Sequence, residues 1–166
     1  YFNEENVRAA LPELKEGTPP NMRKLSENVQ LSNENPAKQV EVTLGVSEDE
    51  GKVNARIDVK EEDPDRFYVT LDNTGTRSSG YARLGFSYQN SNMFNKDQVL
   101  TLAYTTAIDP PGRMKIFGNR VFPWDDGGGV EVDIYSIGYR LPLYTLGDSI
   151  DMIYANSSTN TPASFA

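Results

Sequence analysis

The sequence predicts a small α+β unit, in the order helix, helix, strand, strand, followed by a series of antiparallel β-strands. Three observations lead to this fold class. The spacing of apolar residues changes from about 3.6 to 2 near residue 39. An acidic segment with a proline, residues 61–65, then interrupts the pattern. Beyond it only strand-like segments follow. We therefore divide the chain into residues 1–62 and residues 66–166.

Two amphipathic helices open the α+β unit. Helical spacing predicts a first helix from Asn3, a suitable N-cap, to Leu14, with its end near Gly17. Two consecutive prolines at positions 19 and 20 break the chain. A second helix is expected from Met22 to about residue 33, with apolar positions that recur at helical spacing.

Two strands follow the helices. Alternating apolar residues over 39–46 and again over 53–60 predict a hairpin, one face of which is covered by the helices. The expected core comprises Val7, Leu11, Leu25, Val29, Val42, Leu44, Ala55 and Ile57. Because two strands alone seldom form a stable sheet, we expect the first strand of this unit to be missing and the chain to be cut from a longer protein.

The remaining strand segments have the lengths and faces of membrane strands. They are residues 66–73, 81–90, 98–107, 130–143 and 149–156. One face of several segments carries central aliphatic residues and terminal tyrosines, as in a lipid-facing stripe with an aromatic girdle. A soluble all-β adhesin or other binding domain is the alternative, and it would pack Leu84, Phe86, Leu100 and Leu102 inward.

The connections between these segments alternate in length. Residues 91–97 and 144–148 are short, whereas 74–80 and 108–129 are longer or richer in Gly, Pro and Asp. Outer-membrane barrels alternate short periplasmic turns with long external loops. The pattern thus indicates a truncated outer-membrane β-barrel in which residues 108–129 lie outside the cell.

Composition argues against most enzyme and nucleic-acid functions. The chain has no His and no Cys, which removes the commonest general base and the commonest zinc ligands. Its net charge of −8 argues against binding to a phosphate backbone. The Asp125, Asp126 and Gly127 segment is interpreted as a solvated loop rather than a cation site. Asp148 and Asp151 lack a further titratable partner nearby in sequence. We expect no enzymatic activity, no cofactor and no metal.

Four segments in order resemble one family of transporters. They are NPAKQV at 35–40, VKEEDP at 59–64, LDNTG at 71–75 and GYRLPLY at 138–144. Together they resemble the haemolysin secretion and activation family, the outer-membrane transporters of two-partner secretion. The resemblance implies that residues 1–62 are part of the second polypeptide-transport-associated (POTRA) domain and that residues 66–166 begin the barrel.

That family exports one dedicated large protein, of haemolysin or adhesin type, in an unfolded state. The resemblance therefore implies an unfolded secreted partner, contact with outer-membrane lipid, residues 1–62 in the periplasm and a monomer when full length. A POTRA-containing factor for outer-membrane protein assembly is the related alternative. The chain lacks the first POTRA domain, the later strands and the family's pore-loop motif, so it should not transport protein by itself.

The candidate binding site is the edge strand of the predicted POTRA unit. An unfolded protein offers only extended backbone, which an open strand edge can bind by main-chain pairing. The candidate residues are Gln39, Val40, Glu41, Val42, Thr43 and Leu44. Glu41 and Thr43 should point away from the helices, and a proline at either position should remove one ladder donor from the edge. The alternative is a solvated edge that is protected by its charged neighbours.

Overall fold

The structure is a computed structural model that describes residues 1–47, 53–77, 79–108, 115–116, 119–120 and 131–160. The helices are α1 (Glu4–Ala10) and α2 (Met22–Asn33). The strands are β1 (Lys38–Val46), β2 (Val53–Glu61), β3 (Asp65–Asp72), β4 (Arg83–Met93), β5 (Gln98–Ala107), β6 (Lys115–Ile116), β7 (Asn119–Arg120), β8 (Glu131–Leu143) and β9 (Asp148–Asn160). No helix among the described residues is long and apolar enough to cross a membrane.

Side-chain caps begin both helices. The Asn3 side chain accepts a hydrogen bond from the Asn6 backbone N–H, and Asn21 caps α2 in the same way. The first helix ends at Ala10, four residues before Leu14, the last apolar position of the predicted helix. Pro12 explains the difference, because the residue before a proline avoids helical geometry and Leu11 leaves it with φ −122° and ψ 60°. Leu14 still packs on the core from outside the helix.

The core of the α+β unit lies between the helices and the inner end of the β1–β2 hairpin. Leu11, Leu25 and Val40 are buried, and six further apolar residues pack against them: Val7, Leu14, Val29, Val42, Leu44 and Val59. Six of the eight predicted core residues are therefore confirmed. The prediction was wrong for Ala55 and Ile57, which are exposed.

The reason for this error is the reach of the helices. Ile57 pairs with Val42 and Ala55 with Leu44, so both lie on the predicted face of the hairpin. Burial along β1 nevertheless decreases from Val40 towards Val46, which is 96% exposed. The helices thus cover only the inner half of the sheet and leave its outer half as an uncovered apolar face.

The later strands form one sheet in sequence order, β3-β4-β5-β8-β9. Four-residue turns at 94–97 and 144–147 join β4 to β5 and β8 to β9, which is the geometry of antiparallel hairpins. Within the described ranges the end strands β3 and β9 do not pair with each other. The predicted open meander is therefore confirmed, and its place in a barrel stays a prediction.

Side-chain exposure on the sheet bears on the choice between a sandwich and a barrel. Phe86 and Leu102 are more than one-third exposed, while Leu84 and Leu100 are half-buried. On β3, Phe67, Val69 and Leu71 are all exposed. A soluble sandwich would bury these residues, so the exposure favours the barrel interpretation.

Compact packing divides the chain into two units. The first comprises Tyr1–Arg66, Gln89–Leu100 and Tyr139–Met152, and thus joins the α+β unit with the hairpin ends at 94–97 and 144–147. The second comprises the described residues within Phe67–Tyr88, Thr101–Gly138 and Ile153–Ala166. In the second unit the ring of Tyr104 contacts that of Tyr135 at a centroid distance of 4.8 Å. The division at residues 62–66 into separate domains stays a prediction.

Candidate functional site

The candidate site is the outer edge of β1, the edge that faces away from β2. The backbone N–H of Glu62 donates to the C=O of Ala37 at 2.9 Å, and the strand register pairs Gln39 with Lys60 and Glu41 with Asp58. In an antiparallel ladder every second pair exchanges hydrogen bonds. The N–H and C=O groups of Gln39, Glu41 and Thr43 therefore point towards β2.

This parity assigns the outer edge to the intervening residues, which are Lys38, Val40, Val42, Leu44 and Val46. The expectation that a proline at Glu41 or Thr43 would remove an edge donor is therefore wrong. Those N–H groups hold the hairpin together, because their hydrogen-bonding side faces β2.

One side chain and one backbone carbonyl already occupy the inner end of this edge. The Asn33 side chain accepts a hydrogen bond from the Val40 N–H through Oδ1 at 2.6 Å, and its Nδ2 donates to the Val40 C=O at 3.0 Å. The Lys38 N–H donates to the Asn35 C=O at 3.4 Å. Within the described chain the outward groups of Val42 and Leu44 have no such partner. The edge is closed at Val40 and open beyond it.

The side chains of the candidate strand alternate as predicted. Gln39, Glu41 and Thr43 are exposed, while Val40 is buried and Val42 and Leu44 are half-buried against the helices. Where the open backbone lies, the same sheet face continues as the uncovered apolar residues Val46, Val53, Ala55 and Ile57. An added strand would meet open backbone along one side and apolar surface on one face.

A buried polar cluster fixes the inner end of β1 and was not predicted. Lys38 Nζ donates to Asp97 Oδ2 and, at 3.0 Å, to Asn6 Oδ1. The Tyr144 hydroxyl donates to Asp97 Oδ2 at 2.6 Å, and Asn6 Nδ2 donates to Asp97 Oδ1 at 3.0 Å. The side chains of Lys38 and Asp97 are both almost fully buried. This network joins α1, β1 and the turns at 94–97 and 144–147 within the first unit.

Burial shifts the pKa values of Lys38 and Tyr144 in this cluster. It lowers the pKa of Lys38 because desolvation disfavours the ammonium, and the neighbouring Asp97 carboxylate opposes that shift. Burial also raises the pKa of Tyr144, and the charge of Asp97 raises it further. One sequence signal could have found the cluster, since Lys38 shares its strand parity with the apolar Val40, Val42 and Leu44. A lysine on an apolar face needs a buried partner.

A second feature of the first unit is a polar cleft of about 340 Å³ beside the end of α2. Its lining is mainly acidic and polar and includes Glu27, Glu34, Arg140 and Asp148. Arg140 pairs with Glu34, and its Nε lies 3.7 Å from Asp151 Oδ1.

No group of three or more acidic, His or Cys side chains in the described ranges could hold a metal ion. The segment with Asp125 and Asp126, interpreted as a solvated loop rather than a cation site, lies outside the residues that the structure describes.

Comparison with known proteins gives a similarity in fold. No protein-family profile and no curated protein sequence matches the chain. Among solved structures, CdiB from Escherichia coli matches with a TM-score of 0.71 and 16% sequence identity, over 96% of this chain. The chain spans about a quarter of CdiB, since the match covers 26% of that protein. The two helices, the hairpin and the open sheet described here are therefore a fold similar to this part of CdiB.

Proposed function

We propose that this chain belongs to an outer-membrane transporter that exports a dedicated, unfolded protein by two-partner secretion. In this proposal residues 1–62 lie in the periplasm as part of a POTRA domain, and residues 66–166 supply the first strands of the barrel. The transporter moves protein and catalyses no reaction. Support comes from the four ordered sequence segments and from the similarity in fold to CdiB.

In this proposal β1 captures the exported protein by main-chain pairing. The observation that carries it is the open outer edge at Val42 and Leu44, next to an apolar face that the helices leave uncovered. An unfolded substrate has no fixed shape, so recognition must use its extended backbone and the alternation of its side chains. Binding of this kind tolerates many sequences.

Proline substitutions at the two outward-facing positions test the proposal. Val42→Pro and Leu44→Pro each remove one N–H from the outer edge but leave the hydrogen bonds to β2. Edge strands tolerate proline at such positions, where the missing N–H faces away from the sheet. Loss of one hydrogen bond of about 1 kcal/mol should reduce export of the partner about fivefold. The measurement is the amount of partner secreted by cells that make the full-length transporter, relative to the amount of inserted barrel.

Val42→Ala and Leu44→Ala are the matched controls, because they shorten the same side chains and keep the N–H. We expect them to export more than the proline variants. Equal export from the proline and alanine variants would reject strand addition at this edge. Normal partner export with reduced levels of other outer-membrane proteins would instead favour an assembly factor.

A further inference from the structure

The side chain of Asn33 binds β1 as a neighbouring strand would. Both of its hydrogen bonds are with the backbone of Val40. The Val40 N–H donates to Asn33 Oδ1 at 2.6 Å, and Asn33 Nδ2 donates to the Val40 C=O at 3.0 Å. A paired strand would satisfy the same two groups. Asn33 is the last residue of α2, so the helix end holds the amide against the strand edge.

This placement limits how far an added strand can pair. Outward groups recur every second residue, about 7 Å apart along a strand. With Val40 occupied and the Lys38 N–H bonded to Asn35, the outward residues that remain on β1 are Val42, Leu44 and Val46. Their side chains lie on the apolar face of the hairpin.

We propose that Asn33 is a register stop for strand addition. It ends the pairing of the exported polypeptide at Val42 and restricts the contact to an extended segment of about five residues opposite positions 42–46. The segment bound best has apolar residues at alternate positions, which continue the uncovered face, and polar residues between them. This inference rests on the proposed function, since it specifies what the same edge accepts.

The first experiment examines the stop without a ligand. Asn33→Ala should reduce the hydrogen-exchange protection of the Val40 amide in the full chain about tenfold, because that N–H loses its acceptor. Asn21→Ala is the matched control, since the Asn21 side chain accepts hydrogen bonds from backbone N–H groups at the other end of α2 and makes none to β1 in the described part of the chain. Unchanged protection of Val40 in Asn33→Ala would show that the amide does not close the edge.

The second experiment reads the register directly. The chain has no Cys, so single cysteines at Gln39 and Thr43, both exposed, give unambiguous disulfides. The probe is a six-residue peptide of alternating valine and threonine with one threonine replaced by cysteine. N-methylation of alternate residues leaves it a single pairing edge.

The stop predicts cross-linking at position 43 and little at 39. Asn33→Ala should raise cross-linking at position 39 about tenfold, because the backbone groups of Val40 become available to the peptide. Cross-linking at position 43 should change by less than about twofold. Asn21→Ala should change neither, whereas a general loosening of α2 would affect both. Equal cross-linking at 39 and 43 with Asn33 intact would overturn the register stop and keep strand addition. Cross-linking at neither position would overturn the proposed function itself.

Discussion

Lys38 and Asp97, 59 positions apart in the chain, form a buried ion pair in which the lysine Nζ donates to the aspartate Oδ2. The pair lies where β1 begins and where the turn after β4 ends. Three residues of that turn, Phe94, Asn95 and Asp97, have positive φ. Asn and Asp adopt this geometry more readily than other residues with a Cβ, so it is costly mainly at Phe94 and needs support from its surroundings. The ion pair and its Asn6 and Tyr144 partners provide this support.

Removal of one member of this pair should destabilise the first unit strongly. Lys38→Met leaves the Asp97 carboxylate buried without its partner, which costs about 3–5 kcal/mol of unfolding free energy. The double variant Lys38→Met with Asp97→Leu should recover part of this loss, because no uncompensated charge remains. Urea unfolding followed by circular dichroism measures both. Arg8→Ala, which breaks the exposed pair with Glu4, is the control and should cost less than about 1 kcal/mol.

The pH dependence of stability should carry a signature of Tyr144. Its pKa is raised in the folded state, so above about pH 10 the unfolded chain loses the phenol proton while the folded chain keeps it. Stability that is fully present below this pH is therefore lost as the pH rises, by up to about 1.4 kcal/mol per unit. Unfolding free energies of the native chain and of Tyr144→Phe should be compared from pH 8 to 11. Parallel curves for the two proteins would contradict this assignment.

Because the helices cover only part of the hairpin, truncating its apolar side chains along one sheet face should cost unequal amounts of unfolding free energy. Val40→Ala removes two buried methyl groups and should cost about 2 kcal/mol of unfolding free energy. Ile57→Ala removes more carbon atoms from an exposed position and should cost less than about 1 kcal/mol. The same urea unfolding experiment compares them. A larger cost for Ile57→Ala would mean that the helices cover the outer half of the face.

The predicted membrane topology has a direct test in intact cells. Residues 108–129 should lie outside the cell and the turn at 94–97 in the periplasm, since long loops of such barrels face outwards. Protease added to cells that make the full-length protein should cut within 108–129. Cleavage at 94–97, with 108–129 protected, would reverse the predicted orientation of every strand.

Local patterns in the sequence determined the elements of this protein. Period-2 alternation predicted the seven long strands within four residues at each end, and helical spacing predicted α2. These features depend on residues a few positions apart, so a single sequence contains them. The first helix was predicted too long because apolar spacing continued to Leu14, whereas Pro12 ended the helix.

Tertiary structure alone decided which parts of those elements function together. Alternation assigns side chains to the two faces of β1, but it does not say along which edge the partner strand lies. Only the register showed that the backbone N–H and C=O groups of Val42 and Leu44 point away from β2. The burial of Val40 and the exposure of Ile57 followed from where the helices end. Folding brings Lys38 to Asp97 and the Asn33 side chain to the backbone of Val40. A buried polar group needs a hydrogen-bond partner, and that partner can lie anywhere in the chain, so local sequence patterns do not reveal it.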